Sequence, residues 1–502
     1  MGESGVAEVA GIVGATGAVL VLLAGRRATL LAGFATLTAA EVLFAESGDV
    51  SPALVAAGIA GAVVLAASAA FFVRYPALVI PALLLAAPFR LPFDFDRDHR
   101  FLFALAQGGK LGRLVPLYVV LAAATGAYAW RVARGAAVTP VVRLLALPAA
   151  AFFALASLSL LWSRDLDSGA NLLAFFLLPF AALLAVVARA ELAPWLPKAL
   201  AWISLGLASV FAAVGLWQEL TEDLFFYSPQ LEVANAYSPF FRVTSLFTDP
   251  SLYGRHVVLG FAVLLVLLWT ERINLYLGTA IGALLFAGLY FSYSQTSMAS
   301  LFAVAFVVTL VAGDRVARRS VVAATVVFLV AAGVLLLVGA RGHSISDVTS
   351  GRWTRVEQTA DVVRDAPLVG VGLGAQPEAS QDVAEQNEAR TARFVSHTTP
   401  LTVAAELGLV GLAVYLLLLA ATLRMIMILR RRDFALALAL GAALLALFVH
   451  ALAYSGFFED PITWLALGIG AAYLAAPVPA RERARQSATT NPARAGHPVP
   501  AK

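Results

Sequence analysis

The chain has 502 residues, 61% of them hydrophobic and only 13% charged, with a formal net charge of +4. Apolar runs of about 20 residues, the length that crosses a bilayer, recur along nearly all of it, which excludes a water-soluble globular protein. It has no cysteine, so disulfides, thiolate catalysis and Cys-based metal sites are excluded as well.

A β-barrel would show short alternating segments instead. The pattern therefore predicts an all-α, polytopic transmembrane helical bundle. Met1 to Ala10 carries no basic n-region, so the first run is expected to stay as a helix rather than be cleaved as a signal. In chain order the predicted spans are 7–24, 28–45, 53–73, 76–89, 114–130, 143–162, 170–188, 196–218, 252–270, 273–291, 297–313, 320–340, 400–423, 434–454 and 461–476. That gives thirteen to fifteen crossings, because the fourth run is short, bounded by Pro76 and Pro88, and reads equally as re-entrant or interfacial.

Short loops keep Lys and Arg on the cytoplasmic side. Placing the 341–399 loop outside puts sixteen basic residues inside, from Arg26 to Arg432, against four acidic ones: Glu191, Glu271, Asp314 and Asp433. The short outer turns 46–52 and 455–461 carry no basic residue. The predicted setting is thus a multi-pass plasma or inner membrane with the C-terminus cytoplasmic. Three longer intervals, 90–113, 219–251 and 341–399, then share the outer face. The chain divides into N-terminal spans (1–240), a central region (241–425), C-terminal spans (426–476) and a basic, Pro/Ala-rich tail (477–502) expected to be disordered.

The outer intervals hold the residues suited to chemistry. In the 341–399 loop, Trp353, Val356, Ala360 and Val363 fall at helical spacing, which predicts an amphipathic helix lying on a surface. His397 stands just before a span. It is either a general base, near its ordinary pKa of ~6.5, or a half-exposed histidine bonded to its own helix start. Arg242 precedes another span, Arg255 lies about one turn into it, and Arg352 opens the amphipathic helix. Each is either a snorkelling anchor or part of a seat for phosphate oxygens, which guanidinium holds bidentately. The segment Asp94-Phe95-Asp96-Arg97-Asp98-His99 fails as an EF-hand, because His99 and Leu105 stand where Gly and Glu are needed. Glu41 lies inside a span and Glu406 near the end of another, where a carboxylate is costly.

Three signatures in order resemble the O-antigen ligase and Wzy-type polymerase family of bacterial envelope glycosyltransferases. The first is Arg242-Val243-Thr244-Ser245-Leu246-Phe247-Thr248-Asp249-Pro250. The second is Gly351-Arg352 followed by Pro367-Leu368-Val369-Gly370-Val371-Gly372-Leu373-Gly374. The third is Ser396-His397-Thr398, then Glu406-Leu407-Gly408-Leu409-Val410-Gly411. Two departures stand out. Thr398 replaces the family's usual Asn, and Ser292 to Ser297 carries Gln295 where relatives have a cation, closest to exopolysaccharide polymerases.

The resemblance implies a GT-C-like membrane glycosyltransferase that needs no metal or other cofactor. Its donor would be an oligosaccharide on polyprenyl pyrophosphate, and its acceptor a glycan or lipid, within membrane lipid and with no nucleic acid among its partners. His397 would be the base, and Arg242, Arg352 and Arg255 the pyrophosphate seat, with Asp249, Glu406 and Gln295 in support. The rival expectation is a transporter or a flippase of lipid-linked glycans, which would place broken helices and polar residues at mid-bilayer.

Overall fold

The computed structural model describes residues 3–44, 52–89, 94–95, 101–102, 114–225, 229–339, 352–386, 396, 398–454, 456 and 458–477. In chain order come α1 (Glu3–Leu23), α2 (Arg27–Phe44), α3 (Pro52–Arg74), α4 (Val79–Ala86), α5 (Val115–Ala133), α6 (Arg143–Leu158), α7 (Leu166–Leu172) and α8 (Leu178–Val187). They are followed by α9 (Leu196–Thr221), α10 (Pro229–Tyr237), α11 (Pro250–Trp269), α12 (Leu275–Phe291), α13 (Gln295–Ala312) and α14 (Arg315–Gly339). The last are α15 (Arg352–Asp365), α16 (Gln376–Gln386), α17 (Thr399–Leu429), α18 (Phe434–Ala451) and α19 (Pro461–Ala475). Among the described residues the one departure from an all-α fold is a two-residue antiparallel pair, Asp94–Phe95 with Phe101–Leu102.

The chain is a multi-pass membrane protein. Ten helices are long and apolar enough to span among the described residues, eleven if a bent pair counts as one. That pair, Gly58–Arg74 with Pro76–Ala86, turns through 111°. Pro76 cannot continue the helix before it, so the run at 76–89 folds back instead of crossing alone. α12 and α19 are apolar but only 17 and 15 residues long. The tail 478–502, and Arg97, Arg100, Lys110 and Arg113 in the 90–113 interval, lie outside the described residues.

α11 is the centre of the bundle, packed against α9, α12, α13 and α18. Its start is fixed locally: Pro250 fills the first position, and Asp249 Oδ1 accepts from the amides of Ser251 (2.7 Å) and Leu252 (2.9 Å). Close approach to α9 and α12 depends on small residues. A Cβ on Gly215 or Gly288 would stand 2.3 or 2.6 Å from the hydroxyl of Tyr253, which is wedged between the three helices. α14 packs against α13 and turns Val326, Val327, Phe328, Leu329 and Val330 outward, as a helix facing hydrocarbon must.

Within the 341–399 segment a helix does form, α15, but the residues it buries are not those of the expected stripe. Thr359 and Val362 are buried, while Trp353 stays exposed. Val362 joins Val371, Ala375, Ala379, Val383 and Ala405 in a small second core. The inward face is therefore set by packing on α16 and the 371–375 segment, not by the periodicity that starts at Trp353.

Candidate functional site

The second and third glycine motifs form one unit. Gly408, at φ 67° and ψ −170°, breaks α17 and takes nearby amides and carbonyls out of the helical ladder. The extended segment 367–374 pairs with them. The N–H of Val371 donates to Ala405 O (2.9 Å) and that of Gly372 to Glu406 O (2.9 Å). In return, the N–H of Leu409 donates to Pro367 O (2.8 Å) and that of Val410 to Leu368 O (3.3 Å). Only glycine suits this backbone: a Cβ on Gly408 would lie 2.1 Å from Leu368 O, and one on Gly370 2.4 Å from Glu406 O.

The other edge of the segment rests on the turn between α6 and α7. Arg164 N–H donates to Val371 O (3.0 Å), and Leu373 N–H donates to Ser159 Oγ (3.0 Å). Ser163 Oγ donates to Leu373 O (3.1 Å), and Trp162 Nε1 to Val369 O (3.2 Å). An early part of the chain thus becomes part of the site.

These pieces enclose a cavity of about 420 Å³. Its apolar wall includes Phe152, Phe175, Phe176 and Phe458; its polar groups include Asn171, Thr399, Thr402, Glu406 and Glu459. Residues Leu173–Leu177, which bring Phe175 and Phe176 to the wall, form a π-helical turn between α7 and α8. Such turns are rare and occur mostly at functional sites. Glu406 is buried, and its carboxylate accepts from the backbone N–H groups of Gly374 and Gln376 at the start of α16. Glu459 is near enough for the two carboxylates to repel.

His397 falls outside the described residues, but both its neighbours are tied down. Ser396 N–H donates to Gln376 Oε1 (2.8 Å), and Thr398 Oγ1 donates to Leu452 O (3.2 Å). Thr399, next in sequence, lines the cavity.

Arg242 lies in the segment before α11, half-buried, with Nε 3.5 Å from Ser292 O. The Asn235 amide on α10 clamps its backbone, accepting from its N–H (3.0 Å) and donating to its carbonyl (3.1 Å). Among the described residues no carboxylate is within ion-pair distance of Arg242. Tyr293, with φ 48° and stacked on Phe240, adjoins Ser292. Its phenol is pushed up from its ordinary pKa by burial and by the neighbouring Tyr290 and Glu219. Gln295 is exposed at the start of α13, behind the Ser294 cap. Arg352 opens α15.

Arg255 does not snorkel. Its Nη2 lies 3.0 Å from Asp460 Oδ2, and both side chains are buried. Asp460 also caps α19 through Ile462 N–H (2.8 Å). Beside this pair, His450 Nε2 donates to Ser251 O (3.1 Å), and Ser251 meets Ser294 and Ser297 at 3.3 Å each. A polar seam therefore joins the Ser292–Ser297 stretch to α11, α18 and the 456–460 turn. The sequence reasoning missed Asp460, Glu459 and His450. A signal was present: Asp460-Pro461 repeats the Asp249-Pro250 helix start. Among the described residues no group of three or more His, Asp or Glu side chains could hold a metal ion.

Residues 280–416 match the family model for O-antigen ligases. The match covers most of α12, all of α13 to α16, the glycine-rich ladder and the first half of α17, and it stops short of Arg242 and of the Arg255–Asp460 pair. No curated protein matches the chain.

Proposed function

We propose that the chain, whose residues 280–416 match the family model for O-antigen ligases, transfers a glycan from a polyprenyl-pyrophosphate donor at the outer membrane face. The product is either a longer lipid-linked chain or a glycan handed to a lipid or protein acceptor. The observation that carries this is the cavity enclosed by the two glycine motifs, with the residues flanking His397 held at its edge.

His397 takes the proton of an acceptor hydroxyl as that oxygen attacks the anomeric carbon. The bond from that carbon to the pyrophosphate oxygen breaks on the opposite side, and the pyrophosphate leaves with the electron pair. The new glycosidic bond is therefore inverted. Base assistance contributes typically about 10²–10⁴-fold. Pyrophosphate is a good leaving group once its charge is offset, and Arg242, with Arg352, supplies that offset. Asp249 fixes the start of α11, and Arg255, paired with Asp460, and Gln295, at the start of α13, are assigned supporting roles. Sugars and hydroxyls are tolerable here because Asn171, Thr399 and Thr402 already give the cavity a polar lining.

The test is His397→Ala in purified protein. Lipid donor binding and thermal unfolding should match wild type while turnover is lost. Transfer within a few-fold of wild type would move the base elsewhere. In a deletion strain, loss of long chains with single repeats remaining marks a polymerase, whereas long chains stranded on the carrier lipid mark a ligase. Normal glycans of every kind would refute both.

A further inference from the structure

We propose that Gln376 is the positioning residue for His397: its side-chain amide fixes the backbone immediately before the base. This rests on the transferase function proposed above, with His397 as the base, and adds a residue that acts through it.

Gln376 is the first residue of α16, the helix that gives Ala379 and Val383 to the small second core. Thr359, Gln376, Ser380 and Ser396 are all sealed from solvent there, none more than 1% exposed. An apolar core has no need of such groups, and burying them is costly unless they are paired. The Gln376 amide supplies the pairing. Its Nε2 donates to Ser380 Oγ at 2.8 Å and reaches Thr359 Oγ1 at 3.4 Å, while its Oε1 accepts the N–H of Ser396 at 2.8 Å. An amide presents its donors and its acceptor in one rigid plane, so meeting these partners together specifies where Ser396 stands.

The anchor is itself held from two sides. Glu406 on α17 accepts the backbone N–H of Gln376, and Thr359 on α15 is bonded back to Arg355 O at 2.7 Å. Three helices and the segment before His397 thus meet at one side chain. Beyond His397, Thr398 N–H donates to Ser396 Oγ at 3.3 Å, and Thr398 Oγ1 donates to Leu452 O at 3.2 Å. The two ends are not equivalent. The Thr398–Leu452 bond is exposed, and water can replace a lost partner there. The Ser396–Gln376 bond is buried, so losing the amide oxygen leaves an N–H with nothing to bond. A general base must stand within about 2.6–3.2 Å of the proton it takes, and a misplacement of ~1 Å can cost on the order of 10²-fold. Gln376 is where that placement is controlled.

The experiment uses the full-length protein in nanodiscs, with the lipid-linked repeat unit extracted from the deletion strain as donor. Gln376→Met keeps the volume and removes the acceptor oxygen. Gln376→Asn keeps an amide that is one methylene too short for Ser396. Gln376→Glu retains an oxygen for that N–H, and Ser380→Ala removes the other close partner of the same amide. The Met and Asn variants should lose on the order of 10²-fold in kcat with donor KM within about twofold, and either carries the result if the other does not insert. Gln376→Glu and Ser380→Ala should keep kcat within about threefold of wild type, so that kcat follows reach to Ser396 and not melting temperature. A kcat that instead tracks melting temperature across the set, or is unchanged in the Met and Asn variants, overturns the assignment. Added to His397→Ala, Gln376→Met should remove no more than about threefold further, because the base it places is already gone. A second full loss there would make Gln376 a general structural part and overturn its role. His397→Ala that transfers within a few-fold of wild type fells the base and this positioning role together. An inactive His397→Ala beside a full-speed Gln376→Met fells the positioning role alone.

Discussion

The N–H of Gly372 donates to the carbonyl of Glu406 at 2.9 Å, and that bond makes the two glycine motifs halves of one ladder. The carbonyl is free because Gly408 interrupts its helix two residues later. The same interruption leaves the Glu406 carboxylate facing the cavity while its backbone faces the 367–374 segment. One glycine therefore sets both the backbone pairing of the site and the placing of Glu406 in its wall.

Gly408→Ala tests this directly. Its φ/ψ lies in a region open essentially to glycine alone, where another residue costs of order 1–3 kcal/mol, and the added methyl would collide with Leu368 O. The expected result is a clear drop in melting temperature in detergent together with loss of transfer. Gly206→Ala is the control: it sits on α9 with nothing near its Cβ, and it should melt at or slightly above the wild-type temperature.

Arg242→Lys keeps the charge and loses the bidentate fork, so transfer should fall sharply while the protein still inserts. Asn235→Ala removes two hydrogen bonds to the backbone of Arg242, each worth about 1 kcal/mol, and should give a milder defect that appears as a raised donor KM. Near-normal product from both Arg242→Lys and Arg242→Ala would reduce the arginine to an anchor.

The proposed orientation follows from the asymmetry of basic residues in short loops. Asp365→Cys and Arg431→Cys both occupy exposed positions of a cysteine-free chain. On intact cells an impermeant maleimide should label the first and not the second. The reverse pattern would place the site on the cytoplasmic side and overturn the mechanism.

How far the sequence could be read depended on the kind of interaction. Long apolar runs announced the bundle, because crossing a bilayer needs length and hydrophobicity and little else. Run boundaries translated less directly into helix length: α12 and α19 have only 17 and 15 residues, and the helix ending at Arg74 bends by 111° into the one that follows Pro76. α10 and α16 went unread because they are short and polar, held by contacts such as Gln376 with Ser380 and Ser396 rather than by an apolar stripe. The glycine motifs were visible as residues, but their mutual pairing was not, since nothing in Gly370 or Gly408 names its partner. Likewise, Ser159 and Trp162 looked like ordinary span residues until the 367–374 segment came to rest on them. Arg255 was visible as an intramembrane charge, whereas its counter-ion lay some 200 positions on in sequence, in a turn noted only for lacking basic residues.

That pair gives the last prediction. Arg255 and Asp460 are buried together, joining the central helix α11 to the 456–460 turn that carries Glu459 to the cavity. Removing one partner of a buried pair leaves an uncompensated charge and typically costs about 3–5 kcal/mol. Asp460 also caps α19, so Asp460→Leu should be the more damaging single change and Arg255→Met the lesser. The double variant Arg255→Met/Asp460→Leu removes both charges and should melt above either single one, because the desolvation cost disappears along with the attraction. Its donor KM should stay within about twofold of wild type, since a guanidinium already neutralised by a buried carboxylate has little left to offer a pyrophosphate. Melting curves and donor titrations of the four proteins complete the cycle. A double variant with restored stability and a donor KM raised tenfold or more would put Arg255 in the pyrophosphate seat beside Arg242.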